Sequence, residues 1–193
     1  RVKNFPAINP ESKLPWSSNY LKDCYEKGKE LIGWNNRPAV PGSKKEEGML
    51  VGYGMANGVF GAGRGQASVR AILLPNGTLT LQSAVSDMGP GTTTAMIKIA
   101  ADNLQWSPDK IKFTLGDSDL PPGPTQGGST TTSTLGTAVH LVCEALKKSL
   151  QELALAHLEG FKEATASAID TKNGIISWEG QRVTIEKLLI AAQ

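Results

Sequence analysis

The chain has 193 residues, of which 39% are hydrophobic, and its 20 basic and 18 acidic residues give a formal net charge of +2. This length accommodates one domain, or one large domain with an appendage, and the composition supports a sizeable core. The balanced charge argues against a nucleic-acid or membrane-surface protein, which would carry a concentrated basic face. No apolar run reaches the roughly 18 residues of a membrane span, and no signal peptide is evident. We therefore expect neither a nucleic-acid nor a membrane partner, and a cytoplasmic protein, with the periplasm as the alternative compartment.

The two cysteines, Cys24 and Cys143, lie far apart and in no Cys-x-x-Cys or Cys/His spacing. The sequence therefore predicts no zinc or iron–sulfur ligands within the chain, and two buried free thiols, with a disulfide as the alternative. The chain begins at Arg1 without methionine and ends within a helical pattern over residues 185–193. We expect both ends to be cut from something longer.

Residues 1–47 read as a lead-in, a helix and a loop. Prolines punctuate the lead-in, Ser17 or Ser18 is a candidate cap for a helix to Ile32, and Gly33 is its predicted stop. Residues 48–193 read as one α+β domain. Strands are predicted over 48–60, 66–74, 78–86 and 110–115, helices over 90–105 and 130–159, then a hairpin over 174–183 and a helix from 184.

This order of elements predicts an α+β fold, with a mixed, largely antiparallel sheet and helices packed on one face. Asn76-Gly77 stands between two predicted strands and is typical of a type I′ hairpin turn, which requires positive φ at both central residues.

The stretch from Ser86 to Thr94 joins a predicted strand to a predicted helix. Gly89 suits the N-cap and Pro90 the first helical position, where a missing N–H costs nothing. The backbone N–H groups that follow are free and lie at the positive end of the helix dipole. Gly91 lets a ligand approach the backbone closely, so the pattern indicates binding of phosphate or another anion.

A second such stretch, residues 126–134, opens the longest predicted helix after a proline-rich loop. Threonine and serine surround Gly128 more densely than an N-cap requires, because one side chain suffices for a cap. The excess predicts that several hydroxyls face a ligand. Capping alone is the alternative for both helix starts, and neither is a Walker loop, because no Gly-Lys-Ser/Thr follows.

Other residues have simpler interpretations. The glycines in residues 61–65 lack a following helix, which favours a bent strand or a connection between strands over a dinucleotide fingerprint. His140 and His157 lie within the long predicted helix without an indicated partner, and we interpret His140 as a packing residue. Asp117 and Asp119 are interpreted as part of a solvated turn, with binding of a cation or a ribose-like diol as the alternative.

Taken together, these segments resemble the molybdenum-binding subunit of the xanthine dehydrogenase and aldehyde oxidase family. The resemblance covers most of residues 15–160 and is closest to the bacterial aldehyde-oxidoreductase branch. It is carried by Asp87-Met88-Gly89-Pro90-Gly91, Ile99-Ala100-Ala101-Asp102-Asn103-Leu104, Gly116-Asp117-Ser118 and Gly128-Ser129, and upstream by Gly33-Trp34 and Gly52-Tyr53-Gly54-Met55-Ala56.

The resemblance implies a molybdopterin cofactor, as the mononucleotide or the cytosine dinucleotide form. By position, the implied cofactor-binding residues are Gly89, Gly91 and Thr94 in the first loop and Gly128, Ser129, Thr130 and Thr131 in the second. The implied reaction is hydroxylation of a small-molecule substrate, an aldehyde or an N-heterocycle such as xanthine, with oxygen derived from water. Iron–sulfur clusters and FAD on other domains or subunits are the implied partners that carry the electrons away.

Two features depart from the family. The family commonly has glutamine between the two glycines, where this chain has Pro90, which lacks the side-chain amide and the backbone N–H. The family's essential glutamate base lies in a later segment that the chain does not contain. We therefore expect no catalytic residue or metal ligand in the chain, no cofactor retained by it in isolation, and no activity from it alone. The alternative is a stand-alone α+β domain that binds another phosphorylated ligand at its two helix N-termini.

Overall fold

The computed structural model of the protein describes residues 1–58, 60–61 and 63–192. The chain divides into two compact units, Arg1–Val59 and Phe60–Gln193. The organisation predicted from the sequence, with a lead-in over residues 1–47 and a domain over residues 48–193, stays a prediction. Within the described ranges, no helix combines the length and apolar character that crossing a membrane requires.

The first unit holds helix α1 (Leu21–Leu31) and a short antiparallel pair, β1 (Lys45–Glu46) and β2 (Met49–Leu50). Short 3-10 helices occupy Val2–Asn4 and Trp34–Asn36. The predicted serine cap is wrong, because the Leu21 N–H donates to the Asn19 side chain at 3.2 Å. Gly33 has a φ of 63° and follows the last turn, as predicted for a helix stop.

The predicted strand over residues 48–60 is largely wrong. Only β2 is paired, and the described residues from Val51 to Gly58 have no regular structure. Three glycines in that segment provide no side chain to pack and weaken a strand. Val59, within the predicted strand, lies outside the described residues. Among the described residues 1–58 none is buried, so the first unit has no core of its own. Both cysteines are free, but the predicted burial is wrong for Cys24, which is exposed in this unit, and is confirmed for Cys143.

A three-stranded sheet forms the centre of the second unit. It contains β3 (Arg70–Leu73), β4 (Leu79–Gln82) and β5 (Ile111–Thr114) in that spatial order. The β3–β4 pair is antiparallel and the β4–β5 pair is parallel, which gives the mixed sheet that the sequence predicted. The strands are shorter than predicted. Leu81 lies opposite Ala71 and Phe113, and alternate residues of all three strands face the core.

The β3–β4 hairpin differs from the predicted turn. The Gly77 N–H donates to the Leu74 carbonyl at 2.9 Å, and Gly77 has a φ of 75°. Asn76 has a negative φ, so the turn is not of type I′. Pro75 fixes the first corner position of a three-residue loop that ends in a left-handed glycine, which is the next commonest hairpin connection.

Helices α2 (Thr92–Leu104) and α3 (Thr131–His157) pack on each other, and they contact β5 and β3 respectively. A Cβ atom on Gly136 would stand 2.9 Å from Cδ1 of Ile99, so this glycine permits the close approach of the two helices. The fully buried side chains that join sheet and helices include Leu79, Leu81, Met96, Leu104, Leu135 and Val139. Helices on one face of a mixed sheet confirm the predicted α+β class.

The C-terminal part follows the predicted order. Strands β6 (Ile175–Trp178) and β7 (Gln181–Thr184) form a hairpin, and α4 (Ile185–Ala191) follows with Thr184 as its N-cap. Phe161 is buried, and its ring centroid lies 6.3 Å from that of Trp178. Gln193, at the end of the predicted helix, lies outside the described residues. Short 3-10 helices occupy Pro108–Lys110, Glu159–Phe161, Ala166–Ala168 and Lys172–Gly174.

Candidate functional site

The first predicted anion loop starts its helix later than expected. Helix α2 begins at Thr92, with Gly91 as the N-cap at a φ of 82°. The assignment of Gly89 to the N-cap and Pro90 to the first helical position is therefore wrong. Gly89 has a φ of 112°, so both glycines adopt backbone conformations that L-residues rarely take. The chain needs these two glycines to turn from the end of β4 into α2.

The Asp87 carboxylate occupies the start of α2. Its Oδ2 accepts the Thr92 N–H at 2.8 Å, and its Oδ1 accepts the Gly89 N–H at 2.9 Å. A negative charge there is stabilised by the helix dipole. Among the described residues, the N–H groups of Thr93 and Thr94 have no backbone or side-chain acceptor, so the start of α2 is only partly free for a ligand. The sequence analysis did not assign Asp87 this capping role, although the Asp-x-Gly spacing is typical of a turn.

The second predicted loop enters α3 through two left-handed residues, Gly128 with a φ of 61° and Ser129 with a φ of 56°. Thr130 is the N-cap, and its Oγ1 donates to the Gly127 carbonyl at 3.1 Å. Thr131 begins the helix and is buried, at 7% exposure. No acidic residue stands in the first turn of α3. No carboxylate of that turn therefore compensates the positive end of the α3 dipole, whereas the Asp87 carboxylate does so at the start of α2.

Two hydroxyls of the second loop bind the chain itself. The Ser133 Oγ is within donating distance of the Gly63 carbonyl and of the Thr130 carbonyl, both at 2.9 Å, and the Thr134 Oγ1 accepts the Gly65 N–H at 3.0 Å. A Cβ atom on Gly63 would stand 3.2 Å from the Thr130 Cγ2, so the approach favours glycine. The expectation that the extra hydroxyls face a ligand is therefore wrong for Ser133 and Thr134. Their partners, Gly63 and Gly65, belong to residues 61–65, the glycine run, which the sequence analysis interpreted as a bent strand or a connection between strands.

A cavity of about 440 Å³ lies at this junction. Its lining comes from residues 63–66, from Gly123, Pro124, Thr125 and Gly127 of the proline-rich loop, and from Thr130 and Thr134. Backbone hydrogen bonds fix the loop, because the Pro121 carbonyl accepts the Ala84 N–H at 2.7 Å and the Pro122 carbonyl accepts the Ser68 N–H at 2.8 Å. The loop is irregular, as predicted, but it is fixed to the residues that flank the sheet.

The donors around this cavity fit a phosphorylated cofactor. They comprise the hydroxyls of Thr125 and Thr134 and the Arg64 guanidinium, which are groups that bind phosphate in proteins. The free N–H groups of the first turn of α3 belong to neighbouring residues that do not line the cavity. Oε1 of Gln126 is buried and has no partner in the described part of the chain. A buried acceptor without a partner is uncommon in proteins. Gln126 does not line the cavity, so the lining alone fits a phosphate group.

The remaining candidates agree with their structural interpretations. The Asp119 N–H donates to the Asp117 carboxylate at 2.9 Å, which forms a local turn. His140 is exposed, and its Nδ1 contacts the Asn103 side chain, which joins α3 to α2. Across the described residues, no three His, Cys, Asp or Glu side chains are placed to hold a metal ion. The assignment of Gly89, Gly91, Thr94 and residues 128–131 to cofactor binding stays a prediction.

Comparison with known proteins identifies the family. The sequence model of the molybdopterin cofactor-binding domain matches residues 27–193. The aldehyde oxidoreductase molybdenum-binding subunit PaoC of Escherichia coli O157:H7 is 30% identical over 151 residues, which are 78% of this chain and 21% of that protein. The chain therefore spans about a fifth of the length of this relative.

Two solved structures share the fold. The reconstituted CO dehydrogenase from Oligotropha carboxidovorans has a TM-score of 0.64 at 20% identity, over 97% of this chain and 26% of that chain. Quinoline 2-oxidoreductase from Pseudomonas putida 86 has a TM-score of 0.56 at 20% identity, over 64% of this chain and 16% of that chain. On the family match and the PaoC relationship, this chain belongs to the molybdopterin cofactor-binding domain family.

Proposed function

We propose that the chain is the cofactor-binding portion of a molybdenum hydroxylase, which oxidises aldehydes or N-heterocycles such as xanthine with oxygen derived from water. The observation that carries this proposal is the start of α3. Its first turn has free N–H groups and no acid, and it adjoins a cavity that Arg64, Thr130 and Thr134 line. In the loop before the helix, a buried Gln126 oxygen lacks a partner among the described residues. The family relationship supports molybdopterin as the ligand, and the cytosine dinucleotide form is part of the proposal.

The two loops have different roles in this proposal. At the second loop, Gly128, Ser129 and Thr131 bind the phosphate part of the cofactor through backbone N–H groups and hydroxyls. Thr130, whose N–H and hydroxyl both donate to the Gly127 carbonyl, contributes by fixing the loop that holds them. At the first loop, Gly89, Gly91 and Thr94 line its other side, where the N–H groups of Thr93 and Thr94 are available. When bound, the cofactor supplies the two-electron oxidation of the substrate. The chain's own residues bind it, orient it and keep it in place.

The chain supplies part of the site. A hydroxylase needs a general base within hydrogen-bond reach of the reacting water, and we propose that this carboxylate comes from sequence beyond these 193 residues. The short span relative to PaoC supports this division, because the chain corresponds to about a fifth of that protein. PaoC is by name one subunit, which supports iron–sulfur and FAD partners that receive the electrons. The chain alone is accordingly inactive.

Replacing two hydroxyls tests the assignment. Ser129→Ala and Thr131→Val, combined in the complete natural protein, remove two proposed ligands at the start of α3. We expect a large loss of bound molybdenum and pterin when the protein is purified from a host that makes the cofactor. Thr137→Val is the control, because its hydroxyl donates to the Ser133 carbonyl within the helix. Unchanged molybdenum in the folded double variant would refute the second loop as a cofactor contact.

A second candidate is a domain that binds a different phosphorylated ligand. The observations that favour it are Asp87 at the start of α2 and Pro90 in place of the glutamine common in the resembling family, because both reduce the donors left for molybdopterin. The purified complete protein distinguishes the two. Organic phosphate without pterin or molybdenum supports this candidate, and stoichiometric pterin refutes it.

A further inference from the structure

The glycine run places one arginine at the second loop. Arg64 stands between Gly63, whose carbonyl accepts the Ser133 hydroxyl at 2.9 Å, and Gly65, whose N–H donates to Thr134 at 3.0 Å. The backbone on both sides of Arg64 is thus tied to the first turn of α3. These contacts of Gly63 and Gly65 with consecutive residues of α3 hold the backbone from which the Arg64 side chain extends. The sequence alone assigned no role to Arg64.

The surroundings of Arg64 leave its charge uncompensated. Its side chain is exposed and lines the 440 Å³ cavity, and none of the ion pairs found among the described residues includes it. The other lining residues are glycines, a proline, threonines and Gln66, so no carboxylate lines the cavity. The cavity therefore combines one positive charge with neutral hydroxyl donors, which matches a phosphate ester rather than a cation or an apolar group.

The comparison with α2 sharpens this assignment. At the start of α2, Asp87 already accepts the Thr92 N–H, so the protein supplies the anion there. At the start of α3 the first turn contains no acid, and a cation stands beside it instead. The Arg64 guanidinium and the neighbouring acid-free start of α3 both favour an anion there, and no lining residue of the cavity supplies one.

We propose that Arg64 binds a phosphate group of the molybdopterin cofactor in this cavity, as a binding residue that the glycine run supplies to the second loop. The inference rests on the proposed function and adds a residue to it. The planar guanidinium presents N–H groups in a fork that matches the oxygens of a phosphate. The phosphate ester is the part of the ligand that Arg64 recognises, and the pterin is held elsewhere.

The rate of cofactor release tests this inference. The complete natural protein is purified with its cofactor and diluted into cofactor-free buffer, and released pterin is followed by the fluorescence of its oxidised form. Arg64→Ala removes a charge-assisted hydrogen bond, so we expect release to become roughly ten-fold faster or more. Arg64→Lys keeps the charge but loses the planar fork of N–H donors. We therefore expect its rate of pterin release to lie between those of the wild type and Arg64→Ala, and to rise more steeply with salt concentration.

Arg70→Ala is the matched control, because Arg70 is exposed on β3 and does not line the cavity. Release at the wild-type rate from Arg64→Ala overturns the inference and leaves the proposed function standing. A complete wild-type protein without pterin overturns both. If Arg64→Ala lowers the thermal midpoint, the Arg64→Lys variant decides. Faster and more salt-sensitive pterin release from Arg64→Lys at an unchanged midpoint supports phosphate binding. Release from Arg64→Lys at the wild-type rate refutes it.

Discussion

The backbone N–H of Thr92 donates a hydrogen bond of 2.8 Å to the carboxylate of Asp87 at the start of α2. The same carboxylate accepts the Gly89 N–H, so one side chain closes the loop and caps the helix. The start of α3 has no such acid in its first turn. Two segments that look alike in sequence therefore differ in charge, and the second is better suited to an external phosphate.

Removing the Asp87 carboxylate should destabilise the start of α2. We expect Asp87→Ala to lower the free energy of unfolding by about 1 kcal/mol, because two N–H groups lose their acceptor and the helix dipole loses its counter-charge. Urea denaturation of the purified protein measures the change. Asp87→Asn keeps an acceptor oxygen and should lose less. Equal stability of Asp87→Ala and the wild type would show that the hydrogen bonds contribute nothing.

The hydroxyl of Thr134 should control the mobility of the glycine run. Thr134→Val keeps the buried shape but leaves the Gly65 N–H without an acceptor. A hydrogen bond of ordinary strength contributes about 1 kcal/mol, so amide hydrogen exchange at Gly65 should become roughly five-fold faster. Thr137→Val is the control, because its hydroxyl bonds within α3. The same acceleration in both variants would argue against a specific role for Thr134.

Gly123 should tolerate no side chain. A Cβ atom there would stand 2.9 Å from the backbone nitrogen of Val85, and backbone cannot move aside as a flexible side chain can. Gly123→Ala should therefore cost about 1–3 kcal/mol of stability through overpacking. Gly127→Ala is the matched control in the same loop, where an added Cβ meets nothing within 4 Å. Thermal denaturation of the pair measures the difference, and equal midpoints would contradict the close approach of this loop to the chain beyond β4.

Cys143 should make stability fall at high pH. Burial raises the pKa of its thiol from 9.0 to about 11. Between these two values the unfolded chain releases the proton and the folded protein retains it, so stability decreases as pH rises from about 9 to about 11. Urea midpoints at pH 8 to 10.5 should therefore decline more steeply for the wild type than for Cys143→Ala. Parallel declines would show that the buried thiol is not responsible.

Much of the second unit could be predicted from the sequence, because local signals and tertiary packing agree there. Alternation of apolar residues in β4 and β5, and the apolar faces of α2 and α3, follow the periods of strand and helix. Pro75 and Gly77 marked a hairpin, although the turn type was wrong, because proline at the first corner favours a different loop. The α+β class and the family follow from these signals together with the cofactor-loop residues.

The contacts that define the cavity could not be predicted, because they join distant parts of the chain. Gly63 meets Ser133 across 70 positions, and Gly65 meets Thr134 across 69, with no local pattern to connect them. The hydroxyl excess at the second loop was interpreted as a ligand surface, whereas part of it binds the glycine run. The sequence analysis gave Asp87 no role of its own, because its capping of α2 depends on where the helix begins.

The cofactor content of the complete natural protein is the most direct test of the proposed function. The protein is purified from a host that makes molybdopterin, and molybdenum and pterin are measured per polypeptide by elemental analysis and by fluorescence after oxidation. We predict about one molybdenum and one pterin per chain, in line with the family relationship and with the proposed phosphate-binding role of the α3 start. A folded complete protein that carries neither molybdenum nor pterin would contradict the proposal.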